Sequence, residues 1–175
     1  SHILGDPNSQ AVDNYVYGVP FAKGTKYYIG QAFNGSYSHS GKYNRYAVDL
    51  SLPVGTHILA ARSGRVIDVA FSNFKAGIGK KFLDKANVIR ILHDDGSMAT
   101  YAHLKWEGIR VRAGEHVKKG EYIGDSGNTG YSTGAHLHFV IHANRKNGIE
   151  AIPFKFAKKR GASAVPVAGE WLKSE

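Results

Sequence analysis

With 175 residues, the chain has room for one domain with a substantial core, and two full domains would be a squeeze. Its 23 Lys and Arg against 14 Asp and Glu give a formal charge of +9, which suits polyanionic partners such as nucleic acid, anionic lipid or an acidic polymer, although solubility alone also accounts for it. There is no cysteine, which excludes disulfides and thiolate metal sites and leaves histidine and carboxylate as the ligands any metal must use.

In chain order, residues 1–30 read as a lead-in arm. Tyr15-Val16-Tyr17 and Tyr27-Tyr28-Ile29 make short strands broken by turn residues. Asn34-Gly35 signals a turn, and a polar loop from Ser36 to Arg45 carries His39. Tyr46 to Leu50 is an apolar run interrupted by Asp49, a carboxylate that is costly to bury unless something pairs with it. His57 to Ala61 and Gly64 to Ala70 read as two strands joined by a short turn, and Phe71 to Ala86 reads as a surface loop bearing Lys75, Lys80, Lys81 and Lys85. Asn87 to His93 and Met98 to Leu104 form a hairpin around Asp95-Gly96, and a period of two places Tyr101 and His103 on one face.

A glycine-punctuated series of strands follows and leads into Gly130 to His142, GYSTGAHLHFVIH. Leu, Phe, Val and Ile around the His-x-His predict a strand, on which His136 and His138 emerge side by side. Two imidazoles on a rigid strand suit a transition-metal site, or a metal ligand beside a proton-transfer group. Residues 156–175 read as a mixed, basic tail. No segment sustains a helical period, so the expected fold is nearly all-β, with packed antiparallel sheets forming a groove and few or no long helices. No apolar run approaches the ~18 residues of a bilayer span, and no charged n-region with an apolar h-region opens the chain.

His39, Asp49, His103, His136 and His138 stand out together. A catalytic zinc takes three ligands from His and Asp or Glu and keeps a fourth position for water, whose pKa falls from 15.7 towards ~7. Further histidines beside it can serve as base and oxyanion donor.

SHSGKYNRYAVDLSLPVGT, GSMATYAHL and GNTGYSTGAHLHF, with PVGTHILAARSGRV and VKKGEYIGDSGNTG between them, resemble the lysostaphin-like or LytM-type zinc metallopeptidases that cut bacterial peptidoglycan. The resemblance covers residues 31–155, which would be the catalytic domain. It implies zinc ligation by His39, Asp49 and His138, with His103 and His136 as a non-ligand catalytic pair. One departure is the spacing of His39 and Asp49: ten positions separate them, where many members have four. Asn34 and Tyr101 are candidates for shaping a substrate groove, although core packing explains Tyr101 equally well. His93 and His142 read as structural or solvated, and His2, His57 and His116 as surface groups.

The activity implied is a zinc endopeptidase of the bacterial envelope or exterior, acting on peptidoglycan stems or cross-bridges, with its positive charge favouring anionic wall polymers. A relative that has lost catalysis and only binds or regulates is the alternative, and the complete set of five residues argues against it. Asp84-Lys85-Ala86 also matches the hairpin of a lipoyl or biotinyl carrier, but such a domain is shorter and would leave the histidines without a purpose. No stacking-aromatic or recognition-helix motif supports nucleic-acid binding.

Overall fold

The computed structural model describes residues 4–73, 75–78, 81 and 85–175, so the expectations for His2, Lys80 and Asp84 lie outside the described residues. Among the described residues the chain is built from short strands. The first six are β1 (Tyr15–Tyr17), β2 (Lys26–Gln31), β3 (Val48–Ser51), β4 (His57–Leu59), β5 (Gly64–Ala70) and β6 (Ala76–Gly77). The expected hairpin is formed by β7 (Val88–Leu92) and β8 (Met98–Ala102), and β9 (Leu104–Ile109), β10 (His116–Val117), β11 (Tyr122–Ser126) and β12 (Gly130–Tyr131) follow. The His-x-His segment opens β13 (His136–Arg145), and β14 (Gly148–Ala151), β15 (Phe154–Ala157), β16 (Ser163–Ala164) and β17 (Trp171–Lys173) complete the order. The helical elements include the four-residue α1 (Gly41–Asn44) and a 3₁₀ turn at Lys159–Gly161, and none among the described residues is long. The nearly all-β expectation holds.

Nine strands form the main sheet, in the order β10-β5-β7-β8-β13-β3-β2-β17, with β14 paired to the far end of β13. At ten residues β13 is long enough to be flanked on one edge by β8 and on the other by β3 and β14, all antiparallel. Its alternation divides the sheet into two faces. Leu137, Phe139 and Ile141 point into the core with Leu50, Ile89, Ile91 and Tyr101. Phe139 is central there: its ring lies 5.1 to 6.2 Å from those of Tyr17, Tyr101, Phe154 and Phe156. Truncating such a residue to Ala typically costs about 3–5 kcal/mol. Two smaller sheets, β4-β11-β9 and β1-β15-β16, supply the opposite wall of this core through residues such as Ile58, Ile123, Leu104 and Phe154.

The other face of β13 carries His136, His138, Val140 and His142, which line a groove with Asp49 and Ser51 of β3 and Thr100 and Ala102 of β8. Register aligns the chemistry: His138 is opposite Asp49 on one side and Ala102 on the other, and His136 is opposite Ser51.

The strands at His57 and Gly64 form as expected with a short connection, and they enter different sheets: β4 pairs with β11, while β5 pairs with β7 and β10 in the main sheet. One sequence expectation is corrected here. Tyr101 and His103 do not share a face. The strand ends at Ala102, and His103 adopts a left-handed backbone (φ 63°), which turns its side chain onto the groove while Tyr101 stays in the core. The segments flanking 31–155 are joined to the rest of the fold through two sheets: β2 lies between β3 and β17 in the main sheet, and β1 pairs in parallel with β15 in a smaller one.

Candidate metal centre

Asp49 sits at the focus of the groove because β3 lies directly beside β13. Its Oδ1 accepts a hydrogen bond from His138 Nδ1 at 2.9 Å and lies 3.7 Å from His136 Nε2. Its Oδ2 lies 3.1 Å from His39 Nε2. Ligand atoms of His39, Asp49 and His138 all fall within 4.8 Å of one another. The ten-residue separation from Asp49 therefore does not keep His39 out of the site.

Gln31, at the end of β2 and opposite Asp49, accounts for the delivery of His39. Its Nε2 donates to Asp49 Oδ2 at 3.0 Å and to Ser38 Oγ at 2.8 Å, and its Oε1 accepts from the backbone N–H groups of Tyr37 and Ser38. One amide thus ties the loop to the carboxylate. Gly35 makes room for it, because a Cβ there would meet Gln31 Cγ at 2.4 Å. The backbone N–H of His39 then closes a turn onto Gly35 O.

His39 is almost fully buried, and its Nδ1–H donates to Ala32 O at 2.9 Å. In a neutral ring that leaves the Nε2 lone pair facing a carboxylate oxygen. This Nε2 is buried without a directed hydrogen bond. Two acceptors in contact require a cation between them, either a proton or a metal ion. Two imidazoles and one carboxylate are a donor set suited to a divalent transition metal, so these residues could hold one. Burial alone would raise the Asp49 carboxyl, but contacts from His138 and His39 and the neighbouring imidazole charges outweigh it and hold it below the usual carboxylate range.

The other two site histidines are oriented by backbone carbonyls. His103 Nδ1–H donates to Thr129 O, and His136 Nδ1–H donates to Gly134 O at 2.7 Å, so the Nε2 of each ring stays outside these bonds. Their rings are 4.5 Å apart, and His103 lies 5.9 Å from the ring of His138. Burial, followed by the charges of His136 and His138, pushes the His103 imidazole down to about 4. Gly127 supports the kink that presents His103: a Cβ there would lie 2.5 to 2.6 Å from backbone atoms of Leu104 and Lys105.

The remaining candidates fall outside this cluster. Tyr101 does not reach the groove; it is fully buried, and its hydroxyl accepts a hydrogen bond from the backbone N–H of Ala61 at 2.9 Å. Asn34 occupies a left-handed turn (φ 58°) with its N–H bonded to Arg45 O, and the groove is lined by its neighbours Phe33 and Gly35 instead. His142 donates from Nε2 to Tyr43 O and stacks on the Tyr43 ring at 4.0 Å, and His93 donates from Nδ1 to Ser63 O. His57 stacks on Tyr122 at the surface. No local pattern in the sequence marks Gln31 or Thr129, because both act through partners distant in the chain.

Residues 43–149 match the model of peptidase family M23. Lysostaphin of Staphylococcus simulans is 36% identical over 118 residues, covering 66% of this chain and 22% of its own length. Peptidoglycan DD-endopeptidase ShyC of Vibrio cholerae is 36% identical over 101 residues, covering 57% of this chain and 21% of its own. Among solved structures, the catalytic domain of the prophage-encoded M23 protein EnpA from Enterococcus faecalis, solved as a mutant, superposes with a TM-score of 0.56 at 26% identity, covering 77% of this chain and 93% of that one. A zinc-containing peptidase from Vibrio cholerae gives 0.55 at 27% identity, covering 81% of this chain and 39% of that one. The chain spans between about a fifth and a third of the length of the curated relatives it matches. The family match covers well over half of the chain and contains Asp49, His103, His136 and His138 within one groove, and on these grounds the chain belongs to peptidase family M23.

Proposed function

We propose that this chain is a zinc-dependent endopeptidase domain that hydrolyses peptide bonds in bacterial peptidoglycan. The observation that carries the reading is the buried His39 Nε2 set against the Asp49 carboxylate and beside His138, with two non-ligand histidines on the same groove. A zinc ion held by His39, Asp49 and His138 would supply Lewis-acid activation of the water that attacks the peptide carbonyl. Residues 31–155 are the catalytic domain in this reading, with 1–30 and 156–175 as flanking segments whose strands join two of its sheets.

The protein's own groups divide the remaining work. His103, with Nδ1–H fixed on Thr129 O, holds Nε2 free to take a proton and later return it to the leaving amine. His136, fixed in the same way on Gly134 O, is its partner and is positioned to stabilise developing negative charge once protonated at Nε2. Gln31 and the Ala32 carbonyl hold Asp49 and His39 in orientation. The groove, about 960 Å³ and open to solvent, is large enough for an extended peptide, and its burial of the histidines strengthens their mutual electrostatics. Lysostaphin and ShyC, the latter named as a peptidoglycan DD-endopeptidase, support a peptidoglycan substrate, and hence action in the cell envelope or outside the cell. The net charge of +9 would concentrate the domain on an anionic wall.

The direct test is mass analysis of muropeptides released from purified sacculi of different cross-bridge chemistry. Metal-loaded protein should release cleaved cross-links, chelator-treated protein should release none, and zinc should restore release. Intact sacculi after incubation with fully metal-loaded protein would sink the reading.

A further inference from the structure

The face of the main sheet that carries the metal centre continues past it to the edge. His136 is opposite Ser51 on β3, Ser51 is opposite Tyr28 on β2, and Tyr28 is opposite Trp171 on β17. Residues directly opposite in an antiparallel sheet share a face, so these four side chains form one row across four strands. The flanking residues Ile29 and Leu172 are buried on the other side. Tyr28 and Trp171 are exposed, Trp171 by 61%, and their rings meet edge to face at 5.8 Å with Lys26 Nζ 5.4 Å from the Trp171 ring. The Tyr28 hydroxyl lies 4.0 Å from where a Cβ on Gly169 would sit, and the preceding residues Pro166, Val167 and Ala168 line the groove itself. The aromatic pair therefore lies on the same sheet face as the groove, beside a segment that lines it.

We infer that Tyr28 and Trp171 form a saccharide subsite, which holds an N-acetylated sugar of the glycan strand while its attached peptide lies at the metal centre. This rests on the peptidoglycan reading. Three strand spacings separate His136 from Trp171, about 14 Å. An extended peptide covers that distance in about four residues, comparable to the stem that joins a cross-link to its sugar. An exposed aromatic face has a negative quadrupole, and the C–H bonds on one face of a pyranose ring present the matching positive edge. Lys26 Nζ, 5.4 Å from the centroid of the Trp171 ring, adds a hydrogen-bond donor beside the pair. The sequence places all three residues outside the 43–149 family match, so the subsite would belong to this chain's own elaboration of the fold.

Two measurements test this on the metal-loaded protein. The first is a fluorescence titration with a peptide-free N-acetylglucosamine oligomer, in a Trp106→Phe background that leaves Trp171 as the indole reporter. A saturable change is expected, weakened roughly tenfold by Tyr28→Ala. The second compares KM for a cross-linked muropeptide bearing its sugars with KM for the same peptide without them. Trp171→Ala should raise KM roughly tenfold on the first substrate only, at unchanged kcat, with Trp171→Phe restoring most of the loss. Thermal melting of each variant near that of the parent shows that the fold is kept, and Trp171→Phe carries the comparison if the alanine variant melts early. Absence of sugar binding by the Trp106→Phe protein overturns the subsite, and so does an equal rise in KM on both substrates. Failure to hydrolyse either substrate would instead strike the peptidoglycan reading, and the titration would still decide whether the platform binds sugar.

Discussion

Four side chains line the groove and a fifth, His39, is buried behind Asp49, and their hydrogen bonds separate the five into two groups. His39 and His138 both contact Asp49, and the Nδ1–H of His39 is committed to a backbone carbonyl while its other nitrogen faces the carboxylate. His103 and His136 are anchored by Thr129 O and Gly134 O and stand next to each other instead. His39→Ala, Asp49→Ala and His138→Ala should therefore each lose bound metal on elemental analysis, with activity falling to background. His103→Ala and His136→Ala should keep near-parental metal yet fall by at least two orders of magnitude in kcat on a peptide substrate, the usual worth of a proton-transfer or oxyanion group. Metal loss from His103→Ala would move that residue into the ligand set, and full metal in His138→Ala would remove that residue from it.

At the scale of elements, β13 supplies two of the five residues by alternation alone, whereas His39 and His103 depend on connections. The loop that carries His39 is tied to the Asp49 carboxylate through the Gln31 amide, so Gln31→Ala should weaken metal affinity by about 10 to 100-fold, the range for outer partners of metal ligands, with little change in melting temperature of the metal-free protein. Competition with a chromophoric chelator would measure it, and unchanged affinity would mean the loop orders itself without Gln31. Gly127→Ala acts through the other connection. Its Cβ meets backbone that cannot rotate away, so the variant should lose about 1–3 kcal/mol of stability in denaturant melts and misplace His103. These connections also mark where the sequence stops being legible. The hairpin around Asp95-Gly96 and the His-x-His strand follow from short-range patterns of β-branched residues and turn chemistry, and both stand as expected. Strand alternation places Tyr101 with His103 only if the strand continues, and the left-handed residue at His103 ends it. The assignment of β4 and β5 to separate sheets and the entry of β2 and β17 into the main sheet are choices of distant partners, which no local propensity encodes.

Across the whole molecule, His93 and His142 are buried outside the candidate metal-ligand set, and together with His103 they shape how the fold responds to acid. His93 packs against Tyr17 beneath the Arg62 guanidinium, with Asp94 and Asp95 nearby, and burial pushes it down to about 4. His142, under Tyr43 and facing Arg90 and His138, is pushed down to about 4 for the same leading reason. Each stays neutral in the folded chain below the pH at which the unfolded chain, with an ordinary imidazole near 6.5, has taken up a proton. The unfolded state then binds more protons, so stability is fully present above about pH 6.5 and declines as pH falls from there to about 4. The loss levels off below that value for these two groups. Each contributes up to roughly 3 kcal/mol across the window, a large fraction of the 5–15 kcal/mol typical of a domain. Denaturant melts at pH 7, 5.5 and 4.5 should show this decline. His93→Gln keeps a donor for Ser63 O without a titrating ring, so it should cost about 1 kcal/mol at pH 7 and remove its own share of the decline towards pH 4.5. A variant that retained the full parental slope would show that His93 becomes protonated in place, with Asp94 and Asp95 balancing its charge.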